Sequence, residues 1–96
     1  MELGAIELTA IEDRCNAATA GPWVAYVEGR DHESGSDFIM RGPPDKRSDD
    51  LELSNAGQAD IDFVAHARQD IPRLVAEVRR LRAQVDGETA ASRKDI

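Results

Sequence analysis

Arginine and aromatic side chains, rather than catalytic groups, are the residues of this chain best placed for chemistry. Tyr26 and Phe38 fall in two segments with strand-like composition, and Arg30 and Arg41 lie close to them along the sequence. Aromatic faces stack on nucleobases, and guanidinium groups bind phosphates through charge-assisted hydrogen bonds. A small anionic nucleotide is therefore the ligand that this combination favours. The candidate ligand site comprises Tyr26, Arg30, Phe38, Arg41, Arg68 and Arg73.

Motifs typical of enzymes and metal sites are absent from the sequence. It has no phosphate-binding Gly-rich loop, no C-x-x-C pair and no H-E-x-x-H helix. His32 and His66 are far apart and have no other grouping of strong zinc ligands, so a zinc site is not expected. The single cysteine, Cys15, is expected to be a small buried apolar residue. The sequence thus predicts no enzyme, no cofactor and no bound metal.

Size and charge narrow the classes of protein further. The chain has 96 residues, is 41% hydrophobic and carries a net charge of −7, with an isoelectric point near 4.7. The negative charge argues against binding to a nucleic-acid backbone, and no apolar run reaches the roughly 20 residues of a membrane span. We expect one domain over residues 1–87, followed by a polar tail over 88–96. A domain this small buries a limited core, which favours self-association.

The candidate site has to be positioned by an α+β fold that begins with a short helix. Thr9 and Glu12 have the spacing of a capping box, and Gly21 followed by Pro22 is a common helix end, which predicts a helix over about 10–20. An earlier start is the alternative, since Leu3, Ile6 and Ala10 also fall at helical spacing. Its apolar residues recur at steps of three and four, as in a helix that packs on one side. That face comprises Leu8, Ile11, Cys15 and Ala18.

A small antiparallel sheet of two or three strands follows this helix. Residues 22–28 are rich in aromatic and β-branched side chains, and 37–41 form a second strand-like segment. Residues 51–54 alternate again and supply the third strand if there is one. The polar stretches 29–36 and 42–50 are expected to be loops. Since an isolated hairpin is marginal in water, the sheet must pack against helices.

The last third of the chain has a helical pattern interrupted by a proline. Helical spacing runs through 56–69, and Asp70 is a good N-cap for a helix that carries Pro72 in its first turn. Two alternatives are open: two helices, over 56–69 and 71–85, or one helix kinked near Asp70. Both give a helical C-terminal arm that is kinked or split near Pro72.

Apolar residues of this arm are spaced alternately by three and four positions, the a/d repeat of a coiled coil. β-branched residues at a with leucine at d are typical of two-stranded parallel pairing. We expect this face, called the seam, to form the interface of a homo-oligomer; the alternative is that it packs on the chain's own sheet. The seam comprises Val64, Ala67, Ile71, Leu74, Val78, Leu81 and Val85.

Charge is distributed unevenly along the chain. Residues 1–13 hold four acidic side chains and no basic one, whereas 68–82 hold five arginines. We expect acidic and basic elements to meet across the fold or between subunits; the alternative is that some arginines hold an anionic ligand.

Two segments resemble parts of a known family. Arg14–Trp23 is similar to the Ala-Thr-Pro-Gly-Pro-Trp element of small Ead-like proteins carried by phages and prophages, with Ala20 in place of the first proline. Ala59–Arg82 is similar to the Asp-x-x-Phe-Ile-Ala-x-Ala-Arg element that precedes a Pro-led, Leu-rich helix, with Val64 in place of the isoleucine. The two segments cover roughly a third of the chain, and 28–55 matches nothing in the family. The resemblance implies a phage accessory protein that acts in the bacterial host.

These observations together define the expected function. The leading hypothesis is a non-enzymatic phage anti-defence protein in the host cytoplasm, a homo-oligomer that sequesters a nucleotide-type signal. A reducing cytoplasm also agrees with a single cysteine. The alternative is an adaptor or inhibitor whose acidic face binds a basic host protein, such as one that binds DNA.

Overall fold

The computed structural model describes the backbone of residues 2–94 and the side chains of residues 2–88. It has an α+β fold, as predicted, with one helix before a three-stranded sheet and one long helix after it. In chain order the elements are α1 (Ala5–Ala17), β1 (Trp23–Tyr26), β2 (Phe38–Arg41), β3 (Ser48–Glu52) and α2 (Gln58–Lys94).

Helix α1 has the earlier of the two starts that the sequence left open, and it ends earlier than predicted. Its N-cap is Gly4, whose backbone N–H donates to the carboxylate of Glu7 at 2.5 Å. Glu7, rather than Glu12, therefore caps the first turn of the helix. The predicted Thr9–Glu12 capping box is wrong because Thr9 lies inside the helix. At the other end the backbone becomes extended at Ala18, so the predicted end near residue 20 is also wrong.

The sheet is an antiparallel meander in the order β1-β2-β3. Ala25 lies opposite Ile39, and Ile39 lies opposite Leu51, so these three face the same side. The third strand is confirmed, but it begins at Ser48, so part of the predicted 42–50 loop is strand. The tight turn before it needs Gly42, which has φ +101° and where a Cβ would come within 2.8 Å of a backbone oxygen.

The core lies between this sheet and the first turns of α2. Ile39 and Ile61 are fully buried, and Val27 and Ala65 complete the cluster. Ile61 and Ala65 are four residues apart, so one stripe of α2 covers the sheet. Trp23, Ala25 and Leu51 pack against this cluster from the sheet, and Val64 packs against it from α2.

Helix α1 packs against α2 in the antiparallel direction. The start of α1 lies near Arg82, which donates to the backbone oxygen of Leu3, and Glu12 pairs with Arg79 at 3.3 Å. The acidic N-terminal segment therefore meets the arginine-rich segment, as expected from the charge distribution. Leu8 of α1 and Val75 of α2 are both buried.

Helix α2 is continuous through Pro72 and reaches Lys94. The two-helix alternative and the predicted helix end at 85 are therefore wrong, whereas the kink near Asp70 stays a prediction. A proline inside a helix costs about 3 kcal/mol because it removes a hydrogen bond. Buried residues on both sides, Ala65 against the sheet and Val75 against α1, hold the two halves in place. The helix includes most of the predicted 88–96 tail, whose side chains after Glu88 lie outside the described residues.

Candidate ligand-binding groove

The six side chains of the predicted ligand site are spread over several surfaces of the single chain. Tyr26 and Phe38 do come together, as cross-strand partners whose rings stack at 5.3 Å and 10°. They lie on the sheet face away from the core, and the ring of His32 is 4.9 Å from Phe38. This cluster is a small aromatic patch, and among the described residues no arginine stacks on its rings.

The ring of His32 is held by the loop that follows β1. Its Nδ1 accepts a hydrogen bond from the backbone N–H of Ser34 at 3.1 Å, and it lies 2.6 Å from the Ser34 hydroxyl. Its Nε2 is buried and has no hydrogen-bond partner among the described residues. A carboxylate oxygen of Glu28 lies 3.4 Å from the same Nδ1, so the ring is held by its own loop as well as by its contact with Phe38.

Arg30 is fully engaged by carboxylates. It donates to both oxygens of Asp62 at 2.8 and 3.0 Å, and to Asp31 at 2.8 and 3.0 Å. These hydrogen bonds hold the pKa of Asp62 below its ordinary value, and they do the same for Asp31, which also accepts from the backbone N–H of Val27. Arg30 thus fastens the 29–36 loop to α2 and is not free to bind a phosphate in this arrangement.

Arg41 and Arg68 converge on Thr19. Arg41 donates to the Thr19 hydroxyl at 3.3 Å and lies over the ring of Trp23 at 5.8 Å. The Nε of Arg68 donates to the Thr19 carbonyl at 2.9 Å, and the indole N–H of Trp23 donates to the same oxygen at 3.0 Å. The corner between α1 and β1 thereby fixes two cations and an aromatic ring close together.

Arg73 stands apart from the other predicted ligand residues. Its side chain is 81% exposed and lies 4.0 Å from Asp70. The surface depression beside it is lined by Asp70, Arg73, Leu74 and Glu77. Two carboxylates beside one arginine make this depression a poor place for an anion.

An open groove of about 600 Å³ lies between α1 and α2 next to the Thr19 corner. Its walls are mostly apolar, and its cations are Arg14 and Arg68. Among the described residues no carboxylate lines it. The ring of Phe63, which is 74% exposed, forms one edge. The lining residues are Ile11, Arg14, Cys15, Ala18, Trp23, Phe63, Val64, Ala67, Arg68 and Ile71.

Sequence reasoning found one of the groove's two cations and missed the other. Arg68 was predicted as a ligand residue, whereas Arg14 and Phe63 were not. A signal for Arg14 exists, since it is adjacent to Cys15 on the apolar face of α1. For Phe63 the signal is weaker: it sits two residues after Ile61 and therefore off the stripe that covers the sheet. Cys15 is half-buried in the groove wall rather than fully buried.

The seam divides into two parts. At its start Val64 packs against the core, and Ala67 and Ile71 line the groove. Further along, Leu74, Leu81 and Val85 are exposed, with Leu74 at 63%. Most of the seam therefore does not contact the sheet, because Ile61 and Ala65 are the residues of α2 that cover it.

Comparisons with known proteins leave the site to be interpreted on its own chemistry, since no family model, curated protein or solved structure matches this chain. Within the described residues, neither helix combines the length and the apolar character needed to cross a membrane. The same residues contain no group of three or more His, Cys, Asp or Glu side chains arranged to hold a metal ion.

Proposed function

We propose that this protein is a non-enzymatic binding protein that sequesters a small anionic ligand with an aromatic body, of the nucleotide type, in the groove between α1 and α2. The observation that carries the proposal is the composition of the groove: two arginines, two aromatic rings and apolar walls, with no carboxylate among the described lining residues. A nucleotide has the complementary parts, a planar base and a phosphate group.

The electrostatics of the groove support an anion in particular. The chain as a whole carries a charge of −7, so an anion is repelled by most of the surface. Arg14 and Arg68 make the groove a local exception. Guanidinium groups bind phosphate through paired hydrogen bonds, and apolar walls strengthen those bonds by lowering the local dielectric.

The two aromatic rings of the groove are suited to bind the base of a nucleotide. Trp23 is held in place by its indole hydrogen bond to Thr19. Because the ring is already fixed, ligand binding costs it little conformational entropy. Phe63 is exposed and can cover a base from the other edge. Stacking on aromatic rings tolerates different bases, so we expect the phosphate to contribute more to selectivity than the base does.

The biological setting follows from the resemblance to Ead-like proteins. We propose that the protein is a phage accessory protein that acts in the host cytoplasm and counters a host defence by removing a nucleotide-type signal. Sequestration needs no catalytic residue, which agrees with the absence of catalytic motifs from the sequence.

An adaptor function is a second candidate, and a different surface favours it. Strand β3 is an edge strand, and its exposed residues Asp49, Asp50 and Glu52 form an acidic border of the sheet. A basic host protein would be complementary to this border. Binding there would not involve the groove.

Calorimetry separates the two functions. The wild-type protein is titrated with linear and cyclic nucleotides, with the matching uncharged nucleosides as controls. The proposal expects at least one nucleotide to bind tighter than about 100 μM and its nucleoside to bind far more weakly. If every nucleotide binds more weakly than this, and a basic protein is captured in a salt-sensitive way, the adaptor function replaces sequestration.

A further inference from the structure

The part of the seam beyond Ile71 is an exposed apolar surface that lies outside the groove. Helix α2 has 37 residues, about 55 Å at about 1.5 Å per residue. The sheet covers its first turns and α1 covers one side of its middle. Leu74, Leu81 and Val85 remain exposed along the other side, and the half-buried Val78 lies between them.

The residues that flank the seam carry a charge pattern. With Ile71, Val78 and Val85 at position a, and Leu74 and Leu81 at d, the flanking positions e and g follow directly. Acidic residues occur only at g and basic residues only at e. Position g holds Phe63, Asp70, Glu77 and Gln84, and position e holds Arg68, Val75 and Arg82.

This pattern distinguishes the two orientations of a helix pair. In a parallel pair each g residue meets the e residue five positions later on the other chain. Glu77 would then meet Arg82, an opposite charge, and it would do so twice by symmetry. In an antiparallel pair g meets g and e meets e. With the seam centred, this would bring Glu77 to Glu77 of the other chain and Arg68 to Arg82, both like charges.

Helix α1 leaves room for such a pair. It lies on the side of α2 that carries Val75 and Arg79, as the burial of Val75 and the Glu12–Arg79 ion pair show. The opposite side, with Leu74 and Glu77, is exposed. Glu77 bonds to Arg80 of its own helix at 2.5 Å, and its carboxylate can accept a further hydrogen bond from another chain. Arg82 donates to the backbone oxygen of Leu3 through one nitrogen, and its other guanidinium N–H groups can donate to a carboxylate of another chain.

We propose that α2 pairs with α2 of a second copy of this chain in a parallel, in-register coiled coil. Ile71 to Val85 form its core, and Glu77 pairs with Arg82 of the second copy. The same register brings Phe63 of one copy beside Arg68 of the other, at the rim of the groove. A parallel pair also places both grooves at the same end of the assembly, so that a target with two anionic groups can be held bivalently.

The inference stands apart from the ligand proposed above, and its test needs no ligand. Cysteines are introduced one at a time at Leu74 and at Val85 in a Cys15→Ala background, with Ala76→Cys as the control on the outer face of α2. A parallel, in-register pair forms a disulfide-linked dimer from both Leu74→Cys and Val85→Cys on mild oxidation, but not from Ala76→Cys. An antiparallel pair can bring at most one of the two seam positions opposite itself, so linkage of only one variant, or of neither, would overturn the inference.

Charge exchange tests the register without new thiols. Arg82→Glu alone places like charges across the pair and should weaken dimerisation about tenfold or more, whereas Glu77→Arg together with Arg82→Glu should restore most of it. Sedimentation velocity gives the dimer dissociation constant, and far-UV circular dichroism checks that each variant is folded. A wild-type protein that is monomeric at high micromolar concentration, or a double variant no better than Arg82→Glu, would overturn the inference.

Discussion

The side-chain amide of Gln69 forms hydrogen bonds with both backbone polar groups of Trp23. Its oxygen accepts from the Trp23 N–H at 2.9 Å, and its nitrogen donates to the Trp23 carbonyl at 3.1 Å. A residue of α2 thus supplies the pairing that a neighbouring strand would supply at this point of β1. The contact fixes the helix to the strand that presents Trp23 to the groove.

Removal of the Gln69 amide is expected to destabilise the fold. Gln69→Ala and Gln69→Leu both leave the two part-buried backbone groups of Trp23 without partners, and an unpaired buried group costs about 1–3 kcal/mol. We expect a loss of about 2 kcal/mol in the free energy of unfolding, measured by urea denaturation. Gln84→Ala is the control, because Gln84 is exposed and bonds only to other side chains of α2. Equal stabilities for the Gln69 and Gln84 variants would show that the contact with Trp23 is dispensable.

The Arg30–Asp62 contact should make stability depend on pH in the acid range. The pKa of Asp62 is lowered in the folded protein, chiefly by its hydrogen bonds with Arg30. The ion pair therefore contributes fully to the free energy of unfolding at pH values above the ordinary aspartate pKa of about 3.9. It is lost as the pH falls through the lowered value in the folded state. We therefore expect the wild type to exceed Asp62→Asn in stability near neutral pH, with the difference shrinking below about pH 4.

Thermal unfolding at a series of pH values measures this difference. The control is Asp45→Asn, an exposed residue of the turn before β3 that should change the curve little. A difference between wild type and Asp62→Asn that stays constant down to the lowest pH would rule out the ion pair as its source.

Arginine substitutions in the groove should weaken ligand binding without unfolding the protein. Arg14 is exposed and lies on the groove wall, so Arg14→Ala should lose about 1.5–3 kcal/mol of binding free energy for a nucleotide, or about 10- to 100-fold in Kd. Phe63→Ala should lose about 1–3 kcal/mol through lost stacking. Arg73→Ala is the matched control, since Arg73 lies on the same helix but outside the groove. Calorimetry with the nucleotide that binds tightest is the measurement. An equal loss of affinity in Arg73→Ala would show that the overall charge, and not the groove, determines binding.

Local patterns predicted most of the fold because they depend on neighbours in sequence. The strand alternation around Ala25 and Ile39 and the helical stripe of Ile61 and Ala65 were visible in the sequence, and the structure has both. The sequence left the start of α1 open, and the Thr9–Glu12 capping box was the wrong choice, because Glu7 and Glu12 could each close such a box. The tertiary burial of Leu8 favours the longer helix that begins at Gly4. Continuity through Pro72 likewise depends on packing partners that lie far away along the chain.

The site was harder to predict because a pocket depends on how elements pack. Arg30 looked available in the sequence, yet a carboxylate 32 positions away along the chain engages it. Arg14 and Phe63 belong to different helices, and only the antiparallel packing of α1 on α2 brings them to one groove. Aromatic partners on adjacent strands are easier to predict, and Tyr26 and Phe38 do stack.

The central claim, that the groove binds an anionic nucleotide-type ligand, is tested most directly through the indole of Trp23. Trp23 is the sole tryptophan, so a two-dimensional ¹H–¹⁵N spectrum contains one indole signal, and it reports from the groove wall. Titration of the wild type with the nucleotide panel should move this signal saturably for at least one nucleotide, together with backbone signals of Arg14 and Phe63. Signals of Asp49 and Asp50 on β3 should stay in place. An indole signal that does not move at millimolar nucleotide would contradict the claim.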